Sequence, residues 1–389
     1  MKMCIKAAFV AAALTASIGA FASEETKTSF YGLIDAGALR ADGLGSAGNQ
    51  HAFQIQSGIV TTSHFGVFSK TSLGDGHSVG FKLEGNIALN DGGQVNLGNN
   101  GASNVLFSRE ASMSYGNQLG TLTFGRQKTP FAQSFAVGDA REWANIGTAN
   151  ILFGDMSSFG GSATLKTGLG NLNGGTFTSN LLKYDSPTWY GASATVYYAP
   201  GGYAGNTDTG SSYGTNIKYV LNNLTVAAGT RAAYDKTATA PKIAQASSLS
   251  GMYTLGAWKF GAGVATMENP SVAAGTANSS FRITELTTAY KMNARTTLSI
   301  GSYGLSDRVS SANGTTITGA GATYDLSKST KLYAQYANSN NKGTTGIAAY
   351  GYGYADINSL AANQATFPSV ISMAGVNQTA LAFGIQHRF

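Results

Sequence analysis

The sequence predicts an all-β protein, a 16-stranded antiparallel transmembrane β-barrel, and three observations favour this fold class. Charged residues make up 11% of the 389 residues, whereas soluble domains carry about 25%. Most of the chain consists of stretches of about ten residues in which apolar side chains alternate with polar or small ones, as strands half-exposed to lipid do. Tight turns alternate with much longer connections, which is typical of membrane barrels.

The composition excludes several other classes of protein. The hydrophobic fraction is 43% with 51 glycines, and the mean hydropathy is −0.05. A helical membrane protein needs repeated apolar runs of about 20 residues, and none follows the N-terminus. The 11% aromatic content argues against disorder. The net charge is +6, but the 25 basic residues are scattered singly, so no nucleic-acid partner is expected.

The N-terminus has the three parts of a secretory signal peptide. Lys2 and Lys6 form a basic region, Ala7–Ile18 is apolar, and Ala20–Ala22 is a small-residue cleavage site. We therefore expect a signal peptide at residues 1–22 and a single barrel domain at residues 23–389. Cys4 is the only cysteine and lies in the leader, which excludes thiol catalysis and cysteine-containing metal sites in the mature chain.

Sixteen stretches have the length and alternation of membrane strands, and an even number suits a closed barrel. In chain order they are Ser29–Arg40, Val60–Leu73, Ser78–Leu89, Leu106–Asn117, Gly120–Thr129, Phe177–Asp185, Trp189–Ala199, Tyr213–Leu221, Leu224–Asp235, Leu249–Ala257, Lys259–Met267, Phe281–Met292, Thr296–Leu305, Thr316–Leu326, Lys331–Ala337 and Gln378–Phe389.

Side-chain parity assigns the two faces of each strand, because successive residues point to opposite sides. In Ser78–Leu89, for example, Phe81 and Leu83 share one face and Lys82 and Glu84 share the other. Sixteen strands enclose a lumen too wide for side chains to fill, so we expect apolar residues toward lipid and a polar, water-filled interior. Aromatic residues expected in the interfacial girdle are Tyr197, Tyr198, Tyr219, Tyr290 and Phe389.

Several motifs, in chain order, carry a resemblance to a known family. They are Phe30–Gly37, Ser63–Val67, Arg109–Ala111 followed by Gly120–Gln127, Tyr184–Pro187, and Gly384–Phe389. With these motifs the chain resembles the trimeric general porins of Gram-negative outer membranes, most closely the neisserial and β-proteobacterial branch. The resemblance implies a homotrimer in outer-membrane lipid, a third loop folded into the lumen, and a terminal Phe389 that addresses the outer-membrane assembly machinery.

The resemblance also implies a constriction at which the third loop, here Pro130 to about Thr176, faces a charged wall. The candidate pore residues are Arg126, Asp139, Arg141, Glu142, Asp155, Asp35, His64, Lys70, Lys82, Glu84, Lys218 and Arg231. His64 stands where the family usually has Arg, and Ser157-Ser158 stands where several porins have Pro-Glu, so we expect weak selectivity. The excess of basic wall residues over Asp35 and Glu84 favours anions, since pore-lining charge sets the sign of selectivity.

The sequence thus predicts a general diffusion porin that passes small hydrophilic solutes and inorganic ions, with no catalysis, cofactor or metal. Two alternatives stay open. One is a substrate-specific channel on the same barrel, and the other is an outer-membrane hydrolase. The hydrolase is disfavoured because His51, His64, His77 and His387 fall in a loop, a wall, a turn and the last strand, whereas catalysis needs its groups in one place.

Overall fold

The computed structural model describes residues 25–44, 47–90, 92–93, 105–149, 176–202, 210–234, 243–268, 275, 277, 279–350 and 374–389. The predicted signal peptide, Asp155 and Ser157-Ser158 lie outside these residues. The described strands form one antiparallel sheet whose first and last strands pair with each other, so the sheet closes into a barrel. Within the described chain, no helix is long and apolar enough to cross a membrane.

All sixteen predicted strands are confirmed, most of them with shifted ends. The strands are β1 (Glu25–Leu44), β2 (Gln50–Ser57), β3 (His64–Gly74), β4 (His77–Asn86), β5 (Glu110–Asn117), β6 (Gly120–Lys128), β7 (Phe177–Asp185), β8 (Ala192–Ala199), β9 (Ser212–Leu221), β10 (Leu224–Tyr234), β11 (Ile243–Leu255), β12 (Trp258–Glu268), β13 (Ser280–Lys291), β14 (Thr296–Asp307), β15 (Gly314–Asp325), β16 (Thr330–Lys342) and β17 (Gln378–Arg388). A short helix, α1 (Pro130–Phe135), and a 3-10 turn, Ala136–Gly138, follow β6.

Strand β2 is the one described strand that the sequence pattern did not predict. It pairs with the second half of β1, and β3 pairs with the first half, Glu25–Leu33. The two segments therefore share one wall position, and seventeen strand segments fill sixteen positions. The long connection predicted after the first strand is wrong, since residues 45–49 alone join β1 to β2. The alternation of exposed Phe53 and Ile55 with Gln54 and Gln56 is the signal for β2.

The two-faced wall predicted from parity is confirmed by burial. On β13 and β14, Leu286 is 70% exposed and Ile300 is 51% exposed on the outer face, whereas Glu285 and Tyr303 face each other on the inner face and are buried. The girdle assignment is wrong for Tyr197, which is buried and packs beside the inner-face Arg231. Tyr198, the next residue on β8, is exposed on the outer face, so the alternation of the strand places Tyr197 on the inner face.

The barrel closes around a buried carboxylate, Asp35. Its two oxygens accept hydrogen bonds from Tyr333 Oη at 2.6 Å, Gln386 Nε2 at 2.8 Å, and the backbone amides of Thr61 at 2.7 Å and Val60 at 2.9 Å. These donors belong to β16, β17 and the segment between β2 and β3. Asp35, predicted as a pore residue, is thus fully buried in the seam of the barrel.

Candidate functional site: the third loop and the charged wall

The third loop enters the barrel through α1, and its first turn has the sequence features of a helix start. Thr129 precedes the helix with its hydroxyl accepting from the amide of Ala132 at 3.4 Å, and Pro130 occupies the first helical turn. Phe131 and Phe135 are buried by this turn against the inner wall. The loop is therefore folded inward, as the resemblance implies.

Part of the barrel interior is an apolar core, which corrects the prediction of a wholly polar lumen. Phe131 and Phe135 of α1 pack with Ile283, Met267 and Tyr303 of the inner wall. Full burial of a Phe side chain contributes roughly 1.5–3 kcal/mol. Apolar side chains on these inner-face positions are needed because the loop, not water, covers them.

Hydrogen bonds from wall hydroxyls continue the attachment of the loop. Ser134 and Ser248 join their hydroxyl groups at 2.7 Å. The hydroxyl of Thr287 donates to the carbonyl of Gly138 at 2.7 Å and accepts from the amide of Ala140 at 2.9 Å. The two Thr287 bonds satisfy backbone groups of an irregular segment that is removed from water.

Asp139 is the buried centre of the next part of the loop. Its carboxylate accepts hydrogen bonds from Tyr303 Oη at 2.7 Å, the amide of Arg141 at 2.8 Å and the amide of Trp143 at 3.1 Å. Burial raises the pKa of the Asp139 carboxyl, and these three donors oppose the shift. Asp139 therefore fixes the loop to β14 instead of presenting a charge to solutes.

Arg141 is likewise buried between the loop and the wall. Its Nη2 donates to Gln335 Oε1 at 2.7 Å, and its Nη1 donates to the backbone carbonyls of Ile146 and Gly147. Glu142 is the exposed acid of this segment, with 70% of its side chain accessible, and its carboxylate lies 3.9 Å from Lys331 Nζ. Of the predicted loop charges in the described chain, Glu142 alone reaches open space.

Glycines of the inner wall allow this close approach. A Cβ at Gly261 would overlap the carbonyl oxygen of Gly138, and a Cβ at Gly319 would overlap that of Gly147 and the Arg141 guanidinium. A Cβ at Gly229 would overlap the Ser134 hydroxyl. We call Gly229, Gly261 and Gly319 the glycine track, because they lie on successive parts of the loop's path.

The described part of the loop ends on the opposite side of the barrel. Asn145 Nδ2 donates to the carbonyl of Gly58 at 2.7 Å, and the amide of Asn145 donates to the carbonyl of Val60 at 2.9 Å. The amide of Gly147 donates to the carbonyl of Ala349 at 3.0 Å. Residues 130–149 thus follow the inner wall from β10 to the β1 seam.

A cluster of charged side chains lies on β4 and at the start of β5, beside the strand β6 from which the third loop begins. Glu84 accepts from Tyr31 Oη at 2.7 Å, lies 3.3 Å from Lys82 Nζ, and forms an ion pair with Arg109. Lys82 Nζ also lies 2.8 Å from Glu110. The predicted residues Lys82 and Glu84 therefore neutralise one another within a network that includes two residues absent from the predicted set, Arg109 and Glu110.

Arg126 reaches this cluster because of a β-bulge. The β6–β7 ladder shifts register between Gly125 and Gln127, and Gly125 has a φ of +117°. Bulges change the direction of a side chain beside a functional site. The Arg126 guanidinium is buried, and it donates to the carbonyl of Ser108 at 2.6 Å and the hydroxyl of Ser179 at 3.0 Å.

Three cations converge on one aromatic ring. The Arg109 guanidinium carbon lies 5.2 Å from the centroid of the Phe177 ring, that of Arg126 lies 6.0 Å away, and Lys128 Nζ lies 5.9 Å away. These distances are within the range of cation–π attraction. A cavity of about 240 Å³ adjoins the ring, and its lining includes Glu84, Arg109, Gln127, Lys128 and Lys183. We call it the Phe177 cavity.

The other predicted pore residues are spread around the barrel. His64 is half-buried with Nδ1 2.8 Å from the carbonyl oxygen of Thr62. Lys70 and Lys218 are exposed residues on inner-face positions of β3 and β9, and Arg231 is buried beside Tyr197. Among the described residues, no cluster of three or more His, Cys, Asp or Glu side chains could hold a metal.

Comparison with known proteins decides the family. The profile of the Gram-negative porin family matches residues 7–344. The chain belongs to this family. Two curated relatives are an outer membrane porin protein of Bordetella pertussis, 28% identical over 210 residues, and outer membrane porin protein 32 of Delftia acidovorans, 26% identical over 195 residues. Each match covers 50% of this porin. It covers 48% of the Bordetella relative and 50% of the Delftia relative, so this porin spans about half the length of the curated relatives that it matches.

Solved structures agree with the barrel. The anion-selective porin from Comamonas acidovorans superposes with a TM-score of 0.76 at 20% identity, covering 94% of this porin and 100% of that chain. The trimer form of OmpT from Vibrio cholerae gives 0.60 at 17% identity, with 94% and 99% covered. The family and the barrel place the porin in the Gram-negative outer membrane.

Proposed function

We propose that this porin is a homotrimeric general diffusion channel, without enzymatic activity, that passes small hydrophilic solutes and inorganic ions with a weak preference for anions. The inward third loop supports the size limit, because residues 130–149 occupy part of the lumen along the inner wall. A pore narrowed by an attached loop selects by size first, and its facing charges then select by sign.

The charge of the Phe177 cavity carries the anion preference. Lys82, Arg109, Lys128 and Lys183 line it, against two acids, Glu84 and Glu110. Arg126 adds a further cation at the ring. A wall with this excess of positive charge raises the local concentration of anions. The structural similarity to a porin named as anion-selective supports the same sign.

Planar-bilayer recording on refolded protein tests this function. A trimeric porin gives ohmic openings in groups of three equal steps, and chemical cross-linking of the detergent-solubilised protein gives a trimer. Current that is blocked by a single organic solute at low concentration would favour the substrate-specific channel instead. An absence of channels in correctly folded protein would contradict the proposal and leave a hydrolase as the alternative.

Export and assembly complete the proposal. Removal of residues 1–22 would leave the barrel domain, residues 23–389, and N-terminal sequencing of protein from the outer membrane tests this cleavage.

Phe389 exchanges backbone hydrogen bonds with Gly32 at 3.1 and 3.2 Å, and its half-exposed ring lies 5.7 Å from that of Phe30. An exposed terminal aromatic on the closing strand is accessible to the assembly machinery, so deletion of Phe389 is expected to lower the amount of folded trimer.

A further inference from the structure

We propose that the Phe177 cavity is a binding site for small oxyanions that carry an O–H group, of which inorganic phosphate is the simplest. The inference rests on the proposed function to the extent that anions must enter the lumen to reach the cavity. It goes beyond a general preference for anions, because a binding site makes the passage of one chemical class saturable.

The first observation is that Lys128 is the cation in the cavity lining without a carboxylate partner. Lys82 and Arg109 are paired with Glu84, and Lys183 Nζ lies 3.1 Å from Asp185. Among the described residues, no carboxylate oxygen lies within 4.0 Å of Lys128 Nζ, which instead lies near the Phe177 ring. Its side chain is exposed beside the cavity, so an anion can reach the ammonium group.

The second observation is an independent one at Gln127. This residue is 1% exposed and lines the same cavity, yet its Oε1 has no hydrogen-bond partner. Its Nε2 donates to the carbonyl of Thr123 at 3.4 Å. This bond sets the orientation of the side-chain amide and leaves Oε1 as the atom without a hydrogen bond. A buried acceptor without a donor costs free energy, and an O–H group of a bound ligand would satisfy it.

The two observations together define the ligand class. The ammonium group of Lys128 favours an anion with several oxygens, because charge-assisted hydrogen bonds are the stronger ones. Chloride can offer charge but no directional donor, and sulfate offers four acceptor oxygens but no O–H at neutral pH. Hydrogen phosphate offers both kinds of group. A cavity of about 240 Å³ accepts an ion of this size.

Two measurements on the trimer in detergent or bilayers test the site. We expect inorganic phosphate to reduce the chloride current of the wild type in a saturable manner, and to do so at lower concentration than sulfate. Isothermal titration of the detergent-solubilised trimer with phosphate should give a matching dissociation constant. Lys128→Gln should weaken both effects about tenfold, the equivalent of about 1.4 kcal/mol.

Matched variants separate this site from general electrostatics. Lys70→Gln removes another exposed inner-face lysine outside the cavity, and it should leave the phosphate dissociation constant unchanged. Gln127→Leu should remove the preference for phosphate over sulfate while leaving the chloride current. The proposal is overturned if phosphate does not bind to or block an anion-conducting wild type, or if Lys70→Gln has the same effect as Lys128→Gln. A wild type that forms no channels, yet binds phosphate through Lys128, would contradict the diffusion function and support the site.

Discussion

Tyr303 of β14 donates a 2.7 Å hydrogen bond to Asp139 of the third loop, and both side chains are buried. This bond joins the barrel wall to the segment that narrows the lumen. The inner-wall hydroxyls of Ser248 and Thr287 hold the neighbouring parts of the same segment. The position of the loop is therefore a property of the barrel wall as much as of the loop sequence.

Removal of the Tyr303 hydroxyl should loosen the loop. Tyr303→Phe leaves Asp139 buried with one donor fewer, which costs about 1–3 kcal/mol. We expect a lower free energy of unfolding in denaturant titration and noisier open-channel current in single-channel recording. Tyr324→Phe is the control, because Tyr324 is 41% exposed at the end of β15. Equal current noise in the two variants would mean that the hydrogen bond does not hold the loop.

The glycine track should be intolerant of even a methyl group. Gly261→Ala places a Cβ against the carbonyl of Gly138, so the loop must move toward the lumen and the single-channel conductance should fall. At Gly251 the nearest atom to an added Cβ is the Thr225 carbonyl oxygen at 3.3 Å, and Gly251→Ala is therefore the matched control. Unchanged conductance in correctly folded Gly261→Ala protein would contradict the close packing of loop and wall.

Arg126 should influence ion selectivity through the bulge that carries it to the Phe177 ring. Arg126→Gln removes one positive charge from this wall, so the reversal potential under a salt gradient should shift toward cations. Arg308 lies beyond the end of β14 with a 43% exposed side chain, and Arg308→Gln should leave the reversal potential nearly unchanged. A shift of the same size in both variants would show that only the total charge of the protein matters.

Asp35 should be essential for barrel closure. Asp35→Ala leaves the Tyr333 hydroxyl, the Gln386 amide and two backbone amides without their acceptor. Each buried donor that is left without a partner costs about 1–3 kcal/mol. We expect a lower yield of folded barrel, measured by the heat-dependent shift of the folded band in gel electrophoresis. Wild-type yield and thermal stability would disprove the role of this seam.

The strands were predictable because alternation is local. The strand β2, which contains Phe53 and Ile55, shows the limit of prediction from alternation. It has only eight residues and shares a wall position with β3, so its pattern is weaker than that of a full membrane strand. The contrast between Leu286 and Glu285 follows directly from parity. Local alternation therefore predicted sixteen strands and their two faces.

The candidate site was less predictable because its residues are brought together by tertiary contacts. Asp139 and Arg141 look like pore charges in the sequence, but the wall residues that bury them, Tyr303 and Gln335, are distant in the chain. Arg126 follows the family motif, whereas Lys128, two residues later, had no pattern to distinguish it. Lys128 differs from the other cations of the cavity lining because the fold places carboxylates beside those cations, and such long-range pairing cannot be deduced from the local sequence.

The decisive measurement is the reversal potential of the refolded wild-type channel under a potassium chloride gradient. We expect an ohmic channel whose reversal potential lies on the anion side of zero, because the Phe177 cavity and Arg126 place excess positive charge on the wall of the narrowed lumen. A reversal potential on the cation side would contradict an anion-preferring pore.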